Sequence, residues 1–130
     1  MPYNLYEYVN SSGKNLFKDW REGLDKPQQI KFAVKVNLLR TWPVGTELPP
    51  GLITGTSNGH ILKMRVHGQV QLRPRLCKGP IDHGREFSFL VGAVEKNFKT
   101  VPHDVDSVAS TRRQEIIEDQ HLRRCAYVAS

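Results

Sequence analysis

Residues 61–80, ILKMRVHGQVQLRPRLCKGP, carry Lys63, Arg65, His67, Arg73, Arg75 and Lys78, and no Asp or Glu lies anywhere between Glu47 and Asp82. A guanidinium grips phosphate through two parallel N–H donors, and lysine supplies a compact point charge. Gathered on one surface, these side chains would bind a polyanion. Solvated protein faces ordinarily mix the two signs of charge, so a cationic run without local acids reads as a phosphate-binding face.

Side-chain parity decides whether they gather. Along a strand, successive residues point to opposite faces, so Leu62, Met64 and Val66 share one face and Lys63, Arg65 and His67 the other. In the next strand Val70, Leu72 and Leu76 oppose Gln71, Arg73 and Arg75. A two-residue turn at Gly68-Gln69 would put cations and core residues on the same face. A three-residue loop, His67-Gly68-Gln69, keeps them apart and pairs Val66 with Val70, Met64 with Leu72, Arg65 with Gln71 and Lys63 with Arg73. Gly68 supplies the positive φ such a loop uses, and a five-residue loop preserves the same parity. Directly opposed like charges destabilise a sheet by an amount of the order of the ~0.2–1 kcal/mol that favourable pairs contribute.

The elements that must hold this hairpin follow from periodicity. Residues 4–10 read as a first strand. Leu16, Phe17, Trp20 and Leu24 mark an amphipathic helix over 14–24, and Asp25 with Pro27 opens a second helix that runs to about Thr41. The Pro-, Gly- and Thr-rich residues 42–59 form a long loop. Strands are expected at 61–66, 70–77 and 86–94, the last apolar on both faces and therefore central. A helix follows Pro102, and the closing QHLRRCAYVAS is expected to fray. Helices first and hairpin-connected strands afterwards describe one α+β domain, residues 1–130, with a mainly antiparallel sheet.

Composition agrees with that reading. The chain has 130 residues, net charge +6 and 38% hydrophobic residues, and it has no apolar run long enough to cross a membrane. The N-terminus lacks the basic and apolar regions of a signal peptide, so a cytoplasmic location is expected. Cys77 and Cys125 lack CxxC spacing and read as structural thiols. The five histidines never recur at i, i+3 or i, i+4, so no metal is expected, nor any other cofactor.

The helical pair ahead of the sheet, together with LKMRV, VQLRPRL and EFSFLVGAVEKNFKTVP, resembles the RelE/ParE/HigB superfamily of type II toxins, in particular its phage-derived branch. Gly92, Lys96, Lys99 and Pro102 stand in the pattern of that branch's lysine-rich signature, with Glu95 where the family has lysine, and Arg112 and Arg113 lie in the helix beyond. The resemblance spans about Leu5 to Glu118. It implies a RelE-like toxin that enters the ribosome and cleaves mRNA without a metal, held silent by a cognate antitoxin, commonly a helix-turn-helix protein. The candidate catalytic residues are then Lys63 as base, with Arg65, Arg73 and Arg75 as phosphate and transition-state ligands. His67 is an alternative base, and His67, Lys78, Lys96 and Lys99 are candidate RNA contacts. Of the residues such toxins carry near the tail, only Tyr127 has a counterpart here. The resemblance also admits a ParE-like toxin that binds DNA gyrase, or a non-catalytic nucleic-acid or interaction protein of a mobile element.

Overall fold

A computed structural model describes residues 2–129. Strand β1(Asn4–Tyr8) leads into α1(Leu16–Glu22) and α2(Lys26–Thr41), followed by β2(Ile53–Gly55), β3(Leu62–Met64), β4(Gln71–Leu72), β5(Arg75–Lys78) and β6(Glu86–Val91). A short hairpin, β7(Val94–Lys96) and β8(Lys99–Val101), precedes α3(Val105–Glu118), α4(Gln120–Arg123) and β9(Arg124–Ala126). The six-stranded sheet runs β2-β3-β5-β6-β1-β9, and a three-stranded sheet runs β4-β7-β8. Every pairing is antiparallel except β1 with β6. The expected α+β class is what the chain adopts. No helix among the described residues is long and apolar enough to cross a membrane.

Local chemistry sets the helix ends. Asn15 accepts from the Lys18 N–H at the start of α1. Asp25 accepts from the Gln28 N–H while Gln28 Oε1 accepts from the Asp25 N–H, so two otherwise unpaired donors are satisfied at the start of α2. Trp42 turns extended (φ −67°, ψ 137°) and ends that helix, as the ring of the following Pro43 demands.

Strand β6 is the spine, buried at every position. Phe87 and Phe89 meet Phe17, Phe32, Val36 and Leu39 under α1 and α2. Leu90 meets Val105, Ala109 and Ile116 of α3 on the other side, along with Tyr8, Ile61 and Cys77. Burial there pushes the Cys77 thiol up to about 12. The double-sided apolar pattern thus marks the central strand, as expected.

Several boundaries differ from those the sequence suggests. The strand expected at 70–77 breaks at Pro74, which has no N–H for a ladder; β4 joins β7, while β5 joins β3 and β6. The strand expected at 86–94 ends at Val91, and the chain crosses to the second sheet through Gly92 and Ala93. The 42–59 loop contributes β2 to the edge of β3. The tail does not fray. β9 pairs with β1, Arg124 holds the buried Glu86 at 3.0 and 3.2 Å and stacks 3.8 Å from the Tyr6 ring centre, and Tyr127 lies against Phe89.

Gly92 fills a position where no side chain fits. A Cβ there would lie 2.0 Å from Cδ2 and 2.1 Å from Cγ of Trp20, at the root of the indole. Gly92→Ala should therefore cost about 3 kcal/mol through overpacking. The same alanine in a Trp20→Ala background should cost far less, a difference that urea denaturation midpoints of the four variants will measure.

Candidate nucleic-acid interface

The hairpin between β3 and β5 keeps the anticipated parity but not the anticipated register. Val66 bridges Leu72, and Lys63 lies opposite Arg75 rather than Arg73. The connection is the five-residue loop 67–71 in place of His67-Gly68-Gln69. Its side chains close it: Gln71 Nε2 donates to the Gly68 carbonyl, and His67 Nδ1 lies 2.9 Å from Gln71 Oε1. Between the two observed pairings Arg65 falls opposite Arg73. Lys63, Arg65, Arg73 and Arg75 therefore share the face on which α3 packs, and Leu62, Met64, Val66, Leu72 and Leu76 share the other.

That face is not evenly exposed. Arg73 and Arg75, expected as phosphate ligands on an anion-binding face, are buried, each 3% exposed. Their partners come from distant elements. Arg75 Nε donates to Asp106 Oδ1 at 2.5 Å in the first turn of α3, and its Nη1 donates to the Arg73 carbonyl. Arg73 Nη1 donates to the Leu72 carbonyl, Nη2 reaches Gln71 Oε1 at 3.2 Å, and Nε is 3.8 Å from Glu95 of β7. Glu95, where the resembled family has lysine, is thus the carboxylate nearest Arg73. Burial, then the neighbouring charge of Arg65, draws the Arg73 guanidinium below its ordinary value, partly offset by Glu95.

Lys63 and Arg65 are half-buried and form no ion pair among the described residues. Four cations on this face meet two carboxylates, Glu95 and Asp106, which leaves two positive charges over. Two buried polar atoms on the same face also lack a hydrogen-bond partner among the described residues: Arg73 Nε and Thr54 Oγ1, the latter on the residue paired with Lys63. Buried donors and acceptors are nearly always satisfied, so these two are exceptions, although Arg73 Nε faces the Glu95 carboxylate at 3.8 Å.

His67 joins the cluster through Gln71. Because Gln71 Nε2 donates to a carbonyl, Oε1 must accept from both Arg73 and His67. His67 Nδ1 therefore carries a hydrogen, and in the neutral ring Nε2 keeps the lone pair. The other predicted contacts lie apart. Lys78, at the far end of β5, sits near His60 and His83, while Lys96 and Lys99 flank the β7–β8 turn. Tyr127 packs on Phe89, on the α1–α2 side of the sheet, and cannot join the arginines.

Parity made the grouping of the four cations visible in the sequence. Asp106, Glu95 and Gln71 were not visible as partners, because each acts across a chain separation or a loop whose width the sequence left open. No protein-family model, curated protein or solved structure matches this chain.

Asp106→Asn would leave a buried guanidinium with a neutral partner. The loss should be about 1–3 kcal/mol, at the lower end because Asp106 is 36% exposed, and chemical denaturation will read it.

Proposed function

We propose that the Lys63–Arg65 face binds single-stranded RNA and positions it for cleavage by its own 2′-OH, in the manner of a RelE-like, ribosome-dependent toxin. The observation that carries this reading is the arrangement of the cations: Arg73 and Arg75 are anchored by Glu95 and Asp106, while Arg65 and Lys63 remain without a carboxylate beside an orphaned guanidinium N–H. Anchored cations hold the site's shape, and unpaired ones are available to phosphate.

The chemistry divides among the same residues. The 2′-oxygen attacks phosphorus while its proton passes to His67 Nε2, the nitrogen left with a lone pair, so His67 suits the base's part better than Lys63. Arg65 stabilises the charge gathering on the phosphorane oxygens. Lys63 then donates a proton to the departing 5′-oxygen, and the products are a 2′,3′-cyclic phosphate and a 5′-hydroxyl end. A neutralising antitoxin, of the small helix-turn-helix kind the resemblance implies, would act by covering this face.

The β7–β8 turn adds a second grip. Asn97 and Phe98 form a two-residue turn with φ 50° and 63°, and Phe98 is 99% exposed between Lys96 and Lys99. Such turns favour Asn-Gly, and a left-handed phenylalanine costs about 1 kcal/mol. An aromatic ring held in water at that cost, flanked by two lysines, suits stacking on an unpaired base.

Induction of the protein in a bacterial host should arrest translation and create new mRNA 5′ ends. Arg65→Ala and Lys63→Ala should each cut cleavage at least about 100-fold while changing stability by no more than about 0.5 kcal/mol. Intact mRNA after induction, or equal cleavage by Arg65→Ala, would refute the reading. Phe98→Gly should separate fold from function: the melting temperature rises slightly as the turn relaxes, while RNA affinity falls about five- to 100-fold.

A further inference from the structure

Outside this face, a second group of cations converges at the far end of the sheet. β3 begins at Leu62, opposite Leu76, so Lys78 at the end of β5 extends past its neighbour strand into an open corner. Gly59 and His60 close one side of that corner, His83 another, and Arg113 of α3 a third, around a pocket of about 250 Å³. These residues lie far apart in the chain, and no motif links them.

The pocket has no acidic lining residue. The nearest acids in sequence are engaged elsewhere: Asp82 Oδ1 accepts from the Gly84 N–H at 3.1 Å, and Glu86 is held by Arg124 and the Asp82 N–H. The side chains of His60, Lys78, His83 and Arg113 make no hydrogen bond or ion pair among the described residues. Arg113 Nε is moreover buried with no partner, although a buried guanidinium donor is costly to leave unmet. Four basic side chains without a counter-charge, one with an unused buried donor, describe a receptor for a compact, multiply charged anion.

We infer that the His60–Lys78–His83–Arg113 pocket binds a phosphate group, either free on a small phosphorylated compound or at the 5′ end of an RNA chain. A tetrahedral phosphate offers enough acceptor oxygens for the arginine fork, the lysine and both imidazoles at once. The inference stands independently of cleavage at the Lys63–Arg65 face, because the two groups share no residue.

Titration of the full chain with inorganic phosphate, adenosine 5′-monophosphate, and short RNAs bearing a 5′-phosphate or a 5′-hydroxyl, followed by amide NMR shifts, tests it. Saturable shifts at Gly59, His60, Lys78 and His83 are expected with phosphate and not with chloride at equal ionic strength. Tighter binding of 5′-phosphorylated than 5′-hydroxyl RNA identifies a chain end as the source; equal RNA affinities with clear monophosphate binding identify a free compound. Lys78→Ala, at an exposed position, and Arg113→Gln should each weaken phosphate binding at least about tenfold, while Lys26→Ala, at an exposed position outside both cationic groups, leaves it unchanged. Absence of saturable shifts, matching shifts with chloride, or full affinity in Lys78→Ala overturns the inference.

Discussion

The pairing of Glu7 with Arg21 is the interaction around which the fold closes. Glu7, 1% exposed, points from β1 toward α1, and Arg21, 5% exposed, meets it at 2.8 Å. Two buried charges are tolerable only when their remaining hydrogen-bonding capacity is met. Here Asn15, the residue capping α1, donates to Glu7, while Arg21 donates onward to the Val128 carbonyl and lies 4.5 Å from the Tyr127 ring centre. One ion pair thus ties the first strand, the first helix and the segment just beyond the last strand together. β1 in turn seats β6, β6 seats β5, and β5 presents Arg75, with Arg73 just ahead of it in the link from β4. The geometry of the cationic face is inherited from a charge pair on the opposite side of the sheet.

The two ion-pair systems differ in how completely they are satisfied. Around Glu7 and Arg21 the polar atoms close upon one another, and burial is nearly total. Around Arg73 and Arg75 the carboxylates are fewer than the cations, one contact is as long as 3.8 Å, and Arg73 Nε is left over. A structural network minimises what is left unpaired. The cationic face retains a surplus, together with a buried donor, as a surface built to receive a ligand would.

Much of this could be read from the chain directly. The cap at Asp25 with Pro27 behind it, the double-sided apolar run of β6 and the helix after Pro102 are local signals, and each appears where expected. Parity grouped Lys63, Arg65, Arg73 and Arg75 correctly, since any odd loop length gives the same faces. Loop length itself was not legible, because the five-residue loop is held by the side chains of His67 and Gln71 rather than by a turn dipeptide. Burial of Arg73 and Arg75 was also hidden, as it depends on acids supplied by α3 and β7. The tail misled for a related reason: Arg124 and Tyr127 look polar and unpatterned in a row, yet one reaches a buried carboxylate and the other an aromatic cluster.

The parallel pairing of β1 with β6 carries a kinetic consequence. Asn4 pairs with Glu86, and on its other edge Tyr6 pairs with Ala126. Contacts between residues so distant in sequence are slow to form, because the intervening chain must first be ordered. During synthesis one edge of β1 must wait for β6 at residues 86–89 and the other for β9 at residues 124–126. The helical pair can form early, but the sheet that orients the arginines is completed only near the end, so a nascent chain would carry its cations long before it carries their arrangement.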